Sequence, residues 1–105
     1  MEQGDRQAEE FLTTLAFERA WRDKDIDAVL GHLAPDFELA ASGPFRVGGG
    51  NAHDDVAELC RKAAMDLTRK QLTRDRAVWD VRLPEGRGRI EAEIADGQVT
   101  RLRFS

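Results

Sequence analysis

Along this 105-residue chain apolar residues recur first at helical spacing and later at every second position, a change of period that predicts helices in the first two thirds and strands in the last. From Ala8 to Arg22 the apolar set Phe11, Leu12, Leu15, Ala16, Ala20 and Trp21 outlines one face of an amphipathic helix. Asp25 is placed to cap a second, shorter helix with Ile26, Val29, Leu30 and Leu33 on one side, which Pro35 interrupts. The stretch from Asp36 to Val47 alternates and turns through Ser42, Gly43 and Pro44, predicting a small hairpin that carries Phe37 and Leu39 out and Phe45 and Val47 back. A third helix, capped by Asn51, is expected to carry Val56, Leu59, Cys60, Ala63, Ala64 and Leu67 and to end near Thr68.

From Gln71 onward the period is two. Ala77, Trp79, Val81 and Leu83 share a face, a turn follows at Pro84–Gly88, and Ile90, Ala92 and Ile94 alternate with Arg89, Glu91 and Glu93. The Asp96–Gly97 turn leads to a last strand with Thr100, Leu102 and Phe104 on one side, where Val99 breaks the phase as a bulge would. Three strands are legible after the third helix. The inward set is Phe37, Leu39, Phe45, Val47, Ala77, Trp79, Val81, Ile90, Ala92, Ile94, Leu102 and Phe104, an almost wholly apolar interior with the charged positions outside.

Composition narrows the classes. The length fits one domain, residues 1–105, with about the first seven expected to be disordered. A single cysteine, Cys60, makes no internal disulfide, and no cysteine–histidine cluster has metal-ligand spacing, so no metal is expected. The acidic, polar amino terminus and the lack of a long apolar run predict a cytoplasmic protein with no membrane partner. Residues 1–60 carry 13 acidic and 5 basic side chains, and 61–105 carry 7 and 11. The basic half interleaves arginine with Asp75, Asp80, Glu91 and Glu93 in a chain of net charge −4, which argues against nucleic acid.

Candidate chemistry is sparse. Gly48, Gly49 and Gly50 precede the third helix where a phosphate loop would lie, but a dinucleotide fingerprint counted from Gly48 and Gly50 meets His53 at its third glycine position, and Asp54 and Asp55 would repel a phosphate. The glycines therefore read as a bend, and no cofactor is expected. His53 in the first turn of the third helix and Asp36 before the first strand are the candidate acid/base residues, because both flank the expected mouth of the interior. His32 reads as a peripheral histidine and Cys60 as filler on an apolar helix face.

The order of elements, with AFERAWRDKDIDAVLGHLAPDFEL at the front and EIADGQVTRLRFS at the back, resembles the nuclear transport factor 2-like superfamily, which includes SnoaL-like polyketide cyclases and ketosteroid isomerases. Trp21, Asp25, Asp36 and the Asp96–Gly97 turn stand at recurrent positions of that group. The resemblance implies an α+β fold, a cone-shaped curved antiparallel sheet packed against three helices, here in a shortened version. It implies a domain binding an apolar small molecule, with Trp21, Phe37, Trp79 and Phe104 as ligand-binding residues and isomerase, cyclase or dehydratase chemistry as the class of activity. It also implies a homodimer through the outer sheet face, which carries Val78, Asp80, Arg82, Arg89, Glu91, Glu93, Arg101 and Arg103. The ketosteroid isomerase mechanism does not carry over: Ala41 stands where that group has its basic aspartate, and the chain has no tyrosine for an oxyanion hole. The rival reading is a non-catalytic homodimerising or regulatory module whose cone is filled by its own side chains.

Overall fold

The computed structural model describes residues 2–42, 45, 51–73 and 75–105, apart from the side chains of 2–10 and 67. Its order is α1 (Glu2–Arg22), α2 (Ile26–Gly31), β1 (Leu33–Ala41), α3 (Ala52–Lys62), β2 (Ala64–Leu72), β3 (Arg76–Leu83), β4 (Gly86–Ala95) and β5 (Gln98–Phe104). The strands form one sheet in the order β1-β5-β4-β3-β2. Strands β2 to β5 are antiparallel, whereas β1 joins β5 in parallel. The chain is thus an α+β fold in which helices cover one face of a curved sheet.

The first helix buries the predicted Ala20 and Trp21 but departs from the rest of the predicted stripe. Thr14, Phe17, Ala20 and Trp21 are buried, while Phe11 and Leu12 are 47% and 62% exposed. Phe17 and Trp21, four residues apart, fix the helix rotation by the large area they bury. Thr13 Oγ1 donates to the carbonyl of Gly97 at the β4–β5 turn, and Phe11 and Leu12 just before it stay exposed.

Helix α1 ends where Lys24 adopts a left-handed backbone (φ 57°) and Asp25 caps α2, accepting from the Ala28 amide at 3.3 Å. That backbone turns the Lys24 ammonium toward the end of α3, where it donates to the carbonyls of Cys60 and, at 2.7 Å, Ala63. A cation at a helix C-terminus satisfies orphan carbonyls and complements the dipole. The Trp21 indole donates to the same Ala63 carbonyl at 3.0 Å, fastening the α1–α2 corner to the α3–β2 junction.

Three expectations are corrected. The second helix stops at Gly31, and Leu33, expected on its face, begins β1. The third helix ends at Lys62 rather than near Thr68, and residues 64–72 form β2, so four strands follow it rather than three. Strand β1 pairs in parallel with β5, while the returning arm of the expected hairpin and the glycine bend, at 43, 44 and 46–50, lie outside the described residues. The bulge at the last strand is present: Glu93 pairs with Arg101 and Ile94 with Val99, leaving Thr100 as the extra residue.

Candidate functional site

The inner face of the sheet and the covering helices meet in an aromatic cluster. Phe17 lies 5.9 Å from both Trp21 and Trp79, Trp21 lies 5.9 Å from Phe104, and Phe45 lies 5.5 Å from Phe104, all measured between ring centres. All five side chains have 0% exposure, as do Ile90, Ala92 and Leu102 on the strands beneath them. A water-sized sphere touches none of them. Of the four expected ligand contacts, Trp21, Trp79 and Phe104 belong to this cluster, and Phe37 is 7% exposed against α3.

A charged group reaches the edge of this cluster. Glu18 accepts from the Trp79 indole at 3.1 Å and from the Lys70 ammonium at 2.7 Å, with its side chain only 12% exposed. Trp79 is therefore held by a polar handle as well as by packing. The apolar reading of the interior overlooks Glu18 and Lys70. The available signal is the helical row Thr14, Phe17, Glu18 and Trp21, which places a carboxylate between two aromatic residues.

The candidate acid and base are not brought together. Asp36 is exposed and lines an outer-face depression with Glu38, Glu93, Thr100 and Arg101. His53 is half-buried, its ring edge-on to Phe37 at 4.8 Å, and its backbone amide donates to the Asn51 cap at 2.8 Å. His32 closes α2, its backbone amide bonded to the carbonyls of Ala28 and Val29, and accepts from the Val99 amide at 2.8 Å.

Cys60 is fully buried on α3, and burial pushes its thiol pKa up, against a smaller opposing pull from Lys24 and Arg61. The thiolate is thus disfavoured in the folded chain. Alkylation by iodoacetamide should be slow in native protein and fast in urea. Because the folded-state pKa is the raised one, stability is intact below the ordinary thiol pKa and falls as pH rises past it. Equal alkylation rates in native and unfolded protein would contradict this burial.

A cleft lies on the opposite, outer face. It has a volume of about 620 Å³ and is lined by Asp66, Thr68, Arg69, Asp80, Arg82, Arg87 and Arg89, with Val81, Gly88 and Ser105 completing it. A wide irregularity in β2 builds one wall. Its register with β3 shifts between Met65–Val81 and Lys70–Trp79, so residues 66–69 bow out opposite Asp80 alone. The bow is tied by Asp66, whose carboxylate accepts from the Thr68 hydroxyl at 2.7 Å and the Thr68 amide at 2.9 Å. Those bonds hold the Asp66 carboxyl below its usual pKa.

No family model matches the sequence, and no curated protein matches it either. Solved structures do. TerC, crystallised with polyporic acid, superposes with a TM-score of 0.64 at 20% identity over 92% of this chain and 90% of its own. A nuclear transport factor 2-like protein of unknown function from Burkholderia pseudomallei superposes at 0.65 with 18% identity, covering 92% and 89%. Another from Cytophaga hutchinsonii gives 0.65 at 12% identity, covering 89% and 85%. This chain has the nuclear transport factor 2-like fold. Within that fold the helices cover the concave inner face, where the aromatic cluster lies, and the arginine-lined cleft lies on the other side of the sheet. A nuclear transport factor 2-like fold carries many functions on one frame, so chemistry has to be argued from these two faces.

Proposed function

We propose that this chain is a non-catalytic interaction module whose cone is filled by its own side chains and which works through the outer face of its sheet, with a second copy of itself as partner. The observation that carries this reading is the zero exposure of Phe17, Trp21, Phe45, Trp79 and Phe104, which leaves these five side chains no surface to offer a ligand. Acid/base chemistry would need an inward titratable group free to meet substrate. Glu18 points inward but is engaged by Trp79 and Lys70, and Asp36 and His53 face different surroundings.

The outer face presents Glu91, Glu93, Arg101 and Arg103 on β4 and β5, and a face with both signs is able to pair with its own copy across a two-fold axis. Within one chain Arg101 reaches Glu38 at 2.8 Å and Glu93 at 3.9 Å, and Arg76 pairs with Glu91. Such exposed pairs contribute little within a chain and are readily exchanged for partner contacts.

The competing reading is an apolar-ligand binder that uses Trp21, Phe37, Trp79 and Phe104, with Asp36 and His53 as its acid and base; the similarity to TerC, crystallised with polyporic acid, favours it. Tryptophan fluorescence separates the two, since both indoles lie in the cluster. A panel of steroids, polyketides and fatty acids is expected to leave the emission unchanged, while sedimentation at micromolar protein gives a dimer mass that falls after Arg101→Glu with Arg103→Glu. Saturable quenching by any of these ligands defeats the module reading, and a monomer mass at low and moderate salt defeats self-association.

A further inference from the structure

The outer cleft holds an electrostatic conflict that packing does not explain. Arg82 on β3 and Arg87 on β4 are direct cross-strand partners, flanking the Leu83–Gly86 pair at the end of the hairpin. Like charges placed opposite each other destabilise a sheet. Arg69, carried in by the bowed segment of β2, and Arg89 line the same cleft. Four arginines thus line one hollow in a chain whose net charge is −4.

The acidic groups facing them do not remove the conflict. Asp80 lies 3.6 Å from Arg89, across from it in the register. Asp66 is turned to the amide and hydroxyl of Thr68, and only its field reaches the Arg69 guanidinium. Among the described residues Arg69, Arg82 and Arg87 close no ion pair within the 4.0 Å range that defines the others. The volume, about 620 Å³, falls in the range of roughly 300–1,000 Å³ typical of small-molecule sites.

We infer that this cleft is a binding site for a small polyvalent anion, a phosphate ester or a polycarboxylate, held between Arg82 and Arg87 with Arg69 closing over it. Planar guanidinium forks meet carboxylate and phosphate oxygens two at a time, and an anion between Arg82 and Arg87 turns their repulsion into attraction. Thr68 Oγ1 is spent on Asp66, so recognition rests on the arginines. The site does not depend on self-association, because every residue lining it comes from one chain.

Calorimetric titration of the full chain with inorganic pyrophosphate, and separately with citrate, tests this. Saturable binding with a dissociation constant below about 1 mM is expected for at least one of them, and Arg82→Gln or Arg87→Gln should weaken it by about tenfold or more. Preference for pyrophosphate identifies a phosphate ester as the ligand class, and preference for citrate a polycarboxylate. Arg61→Gln, on α3, should bind as the unaltered protein does. Without anion, Arg82→Gln should also melt no lower than the unaltered protein, because it relieves a repulsion; a side chain serving the fold alone would not do so. No binding of either anion up to about 10 mM, retained affinity in both cleft variants, or equal weakening by Arg61→Gln overturns the site. A monomer that binds pyrophosphate would defeat self-association and leave this inference standing.

Discussion

Replacing Trp79 with alanine is expected to remove about 3–5 kcal/mol of unfolding free energy, a large share of the roughly 5–15 kcal/mol that holds a domain of this size. The indole is completely buried, packs against Phe17 at 5.9 Å and donates to Glu18 at 3.1 Å. Its loss therefore opens a cavity and leaves the Glu18 carboxylate with Lys70 as its remaining partner. Urea unfolding of the two proteins measures the difference, and Trp79→Phe, which keeps most of the volume but not the donor, should fall between them. The cavity also gives a second readout. The hole is walled mainly by apolar side chains, with Glu18 at its edge, and has room for a benzene-like solute, so benzene should raise the melting temperature of Trp79→Ala and leave the unaltered protein where it was. A loss below about 1 kcal/mol, or benzene stabilising the unaltered protein, would mean that the ring lines an open ligand chamber.

The inward faces of β3, β4 and β5 were legible in the sequence because period-two alternation is unambiguous when one face is wholly apolar: Ala77, Trp79, Val81, Ile90, Ala92, Ile94, Leu102 and Phe104 are all buried. Strand β2 was not legible. Its residues, AMDLTRKQL, are mostly good helix formers and continue the helical spacing of α3, so local propensity pointed to one long helix. Tertiary contacts override that preference: the Ala63 carbonyl is held by Trp21 and Lys24, Ala63 itself is extended (φ −96°, ψ 125°), and the next residues pair with β3. The start of the α1 stripe was misplaced for a related reason: the pattern took in Phe11 and Leu12, which stay exposed, and left out Phe17, which is buried beside the correctly placed Ala20 and Trp21. The arginine cleft needs the bowed segment of β2 to bring Arg69 over Arg82 and Arg87, and long-range register of that kind leaves no mark on a single sequence.

A single methyl group at Gly88 is expected to unseat the far end of the core. Gly88 pairs with the inward-facing Val81 across β3 and β4, so a side chain added there would point into the space that Phe45 fills. A Cβ at this position would overlap the Phe45 ring and stand 2.7 Å from the carbonyl oxygen of Ser105, whose amide and carbonyl are both bonded to Arg89. The backbone cannot retreat without breaking that pair, which makes the aromatic ring the part that yields. Gly88→Ala should therefore cost about 1–3 kcal/mol by overpacking. Phe45 would be pushed off Phe104, which in turn touches Trp21, so tryptophan emission should shift to the red as water reaches the cluster. The cause is separable by a double-mutant cycle: if the clash is with the ring, Gly88→Ala combined with Phe45→Ala costs less than the two single losses together. Strictly additive losses would instead place the whole cost in the backbone beside Ser105, and Phe45 would then not be the plug that closes this end of the cone.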